Sequence, residues 1–302
     1  MAEPSTLSSG AASVAQEPVD QAEEWSRYKS FWDGVGDQFP DLGKARSTAD
    51  YRLDEQRLFR DHLAPLEGTR IFKTDLWDEV KNTRILRWAA DQGSRCYGVD
   101  ISLPIVRQAH EGFGERTLRA PVADVRHLPF RDGSFDALYS MGTVEHFDET
   151  ERAIGEIYRV LRPGGRAVIG VPNRWDPFLR PLMVAIMYRL GLYGYGFEKS
   201  YSKRGLRRML EEAGFEVVAE DGILFIPGWL RILDLACHTW WPPASRLTGS
   251  LSAFFGRLAR RFPRLHRHGY LIASVGIRPD SQGLFLATAS DLDTTLVDQG
   301  TK

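Results

Sequence analysis

Three short stretches of this chain carry side chains able to do chemistry. Tyr97-Gly98-Val99-Asp100-Ile101-Ser102 closes an apolar run with a carboxylate. An acid at the carboxyl end of a parallel strand can accept hydrogen bonds from both vicinal hydroxyls of a ribose, and the same acid would serve NAD. Val122-Ala123-Asp124-Val125 repeats the pattern one unit later. Glu145-His146 supplies an imidazole whose ordinary pKa suits proton transfer near neutrality; the bland alternative is a ring that only hydrogen-bonds the backbone and steadies its loop. Cys96 and Cys237 are the two cysteines, far apart and without metal-ligand spacing, so no metal site is expected and a reducing, cytoplasmic setting fits.

Such residues need elements to hold them. From residue 67 onward, short apolar runs alternate with amphipathic segments, the texture of repeated strand-helix units. Strands are expected at 69–74, 95–99, 117–123, 135–140, 166–171, 215–219 and 270–277. Residues 149–161 set Ala153, Ile154, Ile157, Tyr158 and Leu161 at helical spacing, and Pro163-Gly164-Gly165 stops that helix before the fifth strand. The fold class is therefore α/β: a doubly wound, mostly parallel seven-stranded sheet whose ligand lies across the carboxyl ends of its strands.

Segments 172–200 and 228–268 fall outside the alternation and are rich in aromatics, which reads as a helical cap over the substrate side of the 67–278 domain. Before it, residues 25–66 are helical in pattern. Trp25, Tyr28, Phe31 and Trp32 share one side of a first segment, while Tyr51, Leu53, Leu58, Phe59 and Leu63 mark a second. These helices are expected over the domain's entrance. Residues 1–24 and 279–302 read as disordered.

Charge excludes some partners. With 39 Lys and Arg against 40 Asp and Glu the formal net charge is -1, which gives no reason to expect nucleic acid. No apolar stretch reaches the roughly 18 residues of a spanning helix, since the run at 182–192 is short and contains Arg189. The basic run 257–267, RLARRFPRLHR, could meet an anionic head group or a membrane surface, or simply be a solvated face.

The order of the motifs is specific. An acid after the third strand, then Leu128-Pro129-Phe130, SFDALYS, Glu145-His146-Phe147 and RVLRPGG resembles the class I S-adenosylmethionine-dependent methyltransferases, in particular the small-molecule family that includes enzymes of quinone biosynthesis. The resemblance covers about 68–173, with an echo in YSKRGLRRMLEEAGFEV. It implies S-adenosyl-L-methionine as methyl donor, Asp100 as the ribose acid, Asp124 as acceptor of the adenine amino group and Val125 as the residue whose backbone NH meets the ring. Thr74 and Ile101 flank the same site, and Ser140, Met141 and Gly142 would floor the sulfonium. The plain alternative is that both acids merely cap following helices.

One stretch departs from the family. Where the first strand should run into an acid and a glycine-rich turn, this chain has Lys73-Thr74-Asp75-Leu76-Trp77-Asp78-Glu79. Leu76 and Trp77 would crowd a donor, and Lys73 inverts the charge facing its ammonium. Either Asp75 caps the next helix and, with Asp78, offers replacement carboxylates, or the pocket is retuned, leaving a silent scaffold or a binder of another adenosine ligand. The cap, with Trp240-Trp241, suits an apolar or lipid-like acceptor, and His146 is the candidate base.

Overall fold

The computed structural model describes residues 21–280; the expectations for 1–20 and 281–302 lie outside them. Helix α1 spans Gln21–Gln38, so 21–24 belong to a helix rather than to the expected lead-in. Helix α2, Arg46–Leu58, is prolonged by a π turn over Phe59–Leu63. Its Leu58 and Phe59 are buried as the spacing requires, while Leu53 is turned outward.

The sheet then builds from β1 (Arg70–Lys73), β2 (Arg95–Gly98), β3 (Leu118–Arg119), β4 (Phe135–Met141), β5 (Leu161–Pro172), β6 (Glu216–Ile223) and β7 (Leu271–Ile277). Helices α3 (Trp77–Lys81) and α4 (Ile85–Asp91) join β1 to β2, α5 (Leu103–Phe113) follows β2, and α6 (Thr150–Val160) joins β4 to β5. The strand order is β3-β2-β1-β4-β5-β7-β6, with β7 antiparallel to both neighbours. This is the doubly wound, seven-stranded sheet expected.

Alternation along each strand assigns residues to the two faces. Ile71, Ala137 and Tyr139 join the cluster under α2, α4 and α5; Phe72, Leu138 and Ile169 join the one under α6 and α8 (Lys203–Glu212). Local signals start the helices. Ser102 accepts the Ile105 amide at the start of α5, and Ser202 accepts the Gly205 amide at the start of α8.

Two strands differ from expectation for local reasons. The third, expected over 117–123, pairs only at Leu118–Arg119 and resumes as a single bridge between Asp100 and Val122; Pro121 lies between and has no amide to donate. The fifth starts earlier, at Leu161, because Pro163-Gly164-Gly165 is a bulge inside the strand. Phe135 pairs with Leu161 and Ala137 with Arg166. Gly164 sits at φ +70, and a Cβ on Gly165 would meet the Arg162 carbonyl at 2.8 Å.

The cap is helical, as read. Helix α7 (Arg180–Arg189) comes from the first insertion, and α9 (Gly228–Trp240) with α10 (Pro242–Arg261) from the second. Helix α9 packs on α7, α10 and α2. Buried Asp234 ties α9 to α2 and α10: it accepts the Ser47 amide at 2.8 Å and the Thr248 hydroxyl at 3.0 Å.

Candidate active site

A cavity of about 570 Å³ lies over the carboxyl ends of β1, β2 and β4, with α1 and the cap as its roof. Asp100 and Ile101 line it just after β2, and Ala123, Asp124 and Val125 after the third strand. Both Asp100 oxygens accept backbone amides, Oδ2 from Leu76 and Oδ1 from Ser102, each at 2.9 Å. Each oxygen keeps a second lone pair, so a diol can still be bound. Burial pushes the carboxyl up to about 7 against those two hydrogen bonds. Helix α5 is capped by Ser102, so Asp100 is not spent on that role.

Asp124 is more constrained. Its carboxylate is gripped by Arg126, with Nη2 2.7 Å from Oδ2 and Nε 3.1 Å from Oδ1, and Oδ1 also accepts the Arg126 amide. Arg126 in turn lies 5.2 Å from the ring centroids of Tyr28 and Phe147. Tyr28 also lines the cavity, which gives this end an aromatic wall.

The glycine-less turn departs from the sequence expectation at Leu76, at Lys73 and in the capping role of Asp75. Leu76 does not crowd the cavity: it is fully buried beneath the turn, against Gly98, where a Cβ would come within 2.7 Å of Leu76 Cδ2. Trp77 does line the cavity and stands edge-on to Phe39 and Tyr195. Asp75 does not cap α3, whose N-terminal flank is Leu76 without a side-chain bond. Instead Lys73 Nζ donates to Asp75 Oδ1 at 2.9 Å and Thr143 to Asp75 Oδ2 at 2.9 Å.

Lys73 is thus buried under the turn and presents no charge to the cavity, while Asp75 does. Burial alone would lower the lysine's pKa, but Asp75, Asp78 and Glu79 hold it well above its ordinary value. Asp78 also lines the cavity, fixed by Tyr51 at 3.3 Å and Asn82 at 2.7 Å. Glu79 faces away to take the amides of Leu86 and Arg87 at the start of α4.

At the end of β4, Met141 and Gly142 line the floor, but Ser140 does not. It is fully buried and accepts a hydrogen bond from Thr74 Oγ1 at 2.8 Å. Thr74 itself reaches the cavity. The reason lies in strand alternation: Ser140 shares the face of Leu138, opposite Tyr139 and Met141, and its hydroxyl steadies Thr74 rather than a ligand.

His146 lines the cavity from the short 3₁₀ turn Val144–His146. Its Nδ1 lies 2.8 Å from the Phe197 carbonyl, which fixes Nδ1 as the protonated nitrogen and leaves Nε2 with a lone pair. Burial lowers its pKa, opposed by that bond, so the ring is a neutral base at pH 7. It stands 5.0 Å edge-on to Trp32.

The cap contributes residues the sequence did not single out. Arg180 is buried and donates to both oxygens of Glu198, at 2.5 and 2.9 Å, with its guanidinium 3.9 Å from the Tyr270 ring centroid. Tyr193, Tyr195 and Arg231 line the same end, beside Met187, Leu192 and Leu235. The available signal was a single arginine inside each apolar run, FLRPLM and WLRILD. Trp240 reaches the cavity mouth; Trp241, 65% exposed, does not line it.

Residues 81–169 match the family described as a methyltransferase domain. The chain is 27% identical over 240 residues to the ubiquinone/menaquinone biosynthesis C-methyltransferase of Rubrivivax gelatinosus, covering 74% of this chain and 92% of that one. It is 40% identical over 146 residues to the demethylmenaquinone methyltransferase of Thermus thermophilus, covering 41% of this chain and just under two thirds, 65%, of that one. The solved magnesium protoporphyrin IX methyltransferase of Synechocystis, with bound S-adenosylhomocysteine, shares the fold with a TM-score of 0.55 at 12% identity, over 84% of this chain and 99% of that chain.

Proposed function

We propose that this chain is a class I S-adenosylmethionine-dependent methyltransferase that methylates a small, apolar or lipid-like acceptor held under the cap and taken from a membrane surface. The observation that carries this reading is one continuous cavity, with Asp100 and Asp124 at one end and Met187, Leu192 and Trp240 at the other. Relatives named for ubiquinone and menaquinone biosynthesis support the same acceptor class.

The donor supplies an activated methyl carbon on a cationic sulfur. Around it, Asp100 binds the ribose hydroxyls on its spare lone pairs, and the Tyr28 and Val125 walls hold the adenine beside Asp124. Asp75 faces the cationic end of the donor, with Thr143 and Lys73 fixing its direction. The cap aligns the acceptor's nucleophile with the methyl carbon, and such positioning accounts for much of the acceleration in transfers of this kind. As the new bond to carbon forms, the carbon–sulfur bond breaks toward sulfur. An acceptor that must lose a proton passes it to His146 Nε2.

The cap's outer face favours a membrane. Among the described residues no helix is long and apolar enough to cross one. Yet α7 exposes Leu182 and Ile186, α9 exposes Trp229 and Leu233, and α10 exposes Leu247 and Leu251. The acids of the two cap segments, Asp176, Glu198 and Asp234, all have buried side chains, whereas Arg189, Arg246, Arg257 and Arg261 are exposed. Apolar and cationic groups without exposed carboxylates suit an interface with anionic lipid.

The test incubates the protein with methyl-tritiated donor and phosphatidylglycerol vesicles doped with a total lipid extract of its native cells. Label is expected in the organic phase, and the protein is expected to sediment with these vesicles but not with phosphatidylcholine. Label confined to the aqueous phase would refute the lipid-like acceptor, and equal sedimentation with both vesicles would refute the charge argument.

A further inference from the structure

A guanidinium buried without a hydrogen-bonded partner is costly, because its hydration is lost with nothing in return. Arg180 avoids this through Glu198. Arg231 does not. It is 7% exposed, on the inward side of α9, and its Nη1 is buried with no hydrogen-bond partner. Its guanidinium lies 5.2 Å from the Tyr51 ring centroid. Asp78 feels the charge of Arg231 but takes its hydrogen bonds from Tyr51 and Asn82, and Asp234 takes its own from Ser47 and Thr248.

Arg231 nevertheless lines the cavity. The walls beside it on α9, Ile232, Leu235 and Ala236, are apolar, so a ligand lying along this helix meets hydrocarbon and a single fixed cation. A guanidinium presents a planar fork of donors that matches a carboxylate or an ionised phenol or enol, and it stays charged at any physiological pH.

We propose that Arg231 is the binding residue for an anionic oxygen group on an otherwise apolar methyl acceptor. The acceptor is then an amphiphile: a hydrocarbon or aromatic body under α7 and α9, with one carboxylate, phenolate or enolate directed at Arg231. This rests on the reading of a lipid-like acceptor and narrows it. The donor also carries a carboxylate, and the test separates the two sources.

Decanoate and decanol share a chain and differ in the anionic group. Each is titrated calorimetrically at pH 8 into the full-length protein saturated with S-adenosylhomocysteine, and the affinity for S-adenosylhomocysteine is measured separately. Decanoate is expected to bind at least tenfold more tightly than decanol. That preference should vanish in Arg231→Met and shrink in Arg231→Lys, while affinity for S-adenosylhomocysteine stays within about twofold, a change below 1 kcal/mol. The lysine variant keeps a cation in place and decides the question should the methionine variant fail to fold.

Equal binding of decanoate and decanol by the parent protein would overturn the assignment while leaving the apolar acceptor standing. Binding of neither would sink the acceptor reading itself. A preference that persists in both variants would also overturn it. So would a tenfold loss of S-adenosylhomocysteine with unchanged affinity for 5′-methylthioadenosine, which lacks the amino-acid portion, since that result gives Arg231 to the donor.

Discussion

The two ends of the cavity are built on opposite principles. At the end proposed for the donor, Asp100 and Asp124 sit at strand termini and accept backbone amides, Asp100 from Leu76 and Ser102 and Asp124 from Arg126. At the cap end, side chains of the first insertion fix one another, as Arg180, Glu198 and Tyr193 do. Backbone-held groups depend little on tertiary packing and preserve a geometry for one constant ligand. Side-chain networks on inserted helices can be exchanged wholesale, which suits the variable partner.

The largest expected effect breaks the cap network. Arg180→Met leaves Glu198 buried and unpaired, which should cost about 3–5 kcal/mol of stability. Arg231→Met removes a buried cation that bonds no carboxylate, so its melting temperature should not fall below that of the parent. Parallel thermal melts check both. Equal losses would mean that the two arginines hold the fold in the same way and that the contrast drawn between them is wrong.

The same difference explains what the sequence revealed. Asp100, Ile101, Asp124, Val125 and Met141 were legible because strand alternation and a short local motif place them together. The turn after β1 was legible only in part: Asp75 and Asp78 do line the cavity as the sequence reading had them, but the direction of Lys73 was hidden. Asp75 is aimed by Thr143, 68 residues away, and Asp78 by Tyr51 on α2, so no local pattern could show that Lys73 turns away beneath them. Ser140 was misplaced by a single residue of strand phase. Arg231 was illegible because what sets it apart is a buried Nη1 with no hydrogen bond, which only the packed molecule reveals.

A second, smaller effect tests the donor end through pH. With its carboxyl near 7, Asp100 is largely protonated at pH 6 and ionised at pH 8. Ribose binding prefers the ionised form, so affinity for S-adenosylhomocysteine should fall about tenfold from pH 8 to pH 6. Asp100→Asn should bind about 1–3 kcal/mol more weakly at pH 8 and lose this dependence. Stability without ligand runs the other way. The folded pKa of Asp100 lies above the unfolded one, as do those of Asp54 and Glu79, so the protonated forms favour the fold. The ligand-free melting temperature should therefore rise as pH falls from 8 to 6.5. Affinity and stability moving in the same direction would remove Asp100 from the ribose site.

The smallest expected effect concerns the turn that lacks glycine, and it distinguishes a carboxylate serving the ligand from one serving the protein. S-adenosylmethionine and S-adenosylhomocysteine share the ammonium and differ in the charge on sulfur. If Asp75 faces the sulfonium, Asp75→Asn should weaken the charged donor more than the neutral product. Lys73, 2.9 Å from the same carboxylate, already offsets part of its field, so the ratio of the two affinities should shift by only about two- to fivefold, roughly 0.5–1 kcal/mol. A helix cap is not a competing explanation, because Asp75 does not cap α3. The remaining competitor is a carboxylate whose whole role is to neutralise buried Lys73. In that case Asp75→Asn lowers the melting temperature and leaves the ratio unchanged. Calorimetric titration of both ligands into Asp75→Asn, with Asp78→Asn beside it, decides between them: an unchanged ratio in both variants would make the turn a structural replacement for the glycine loop, with no part in sensing the sulfonium.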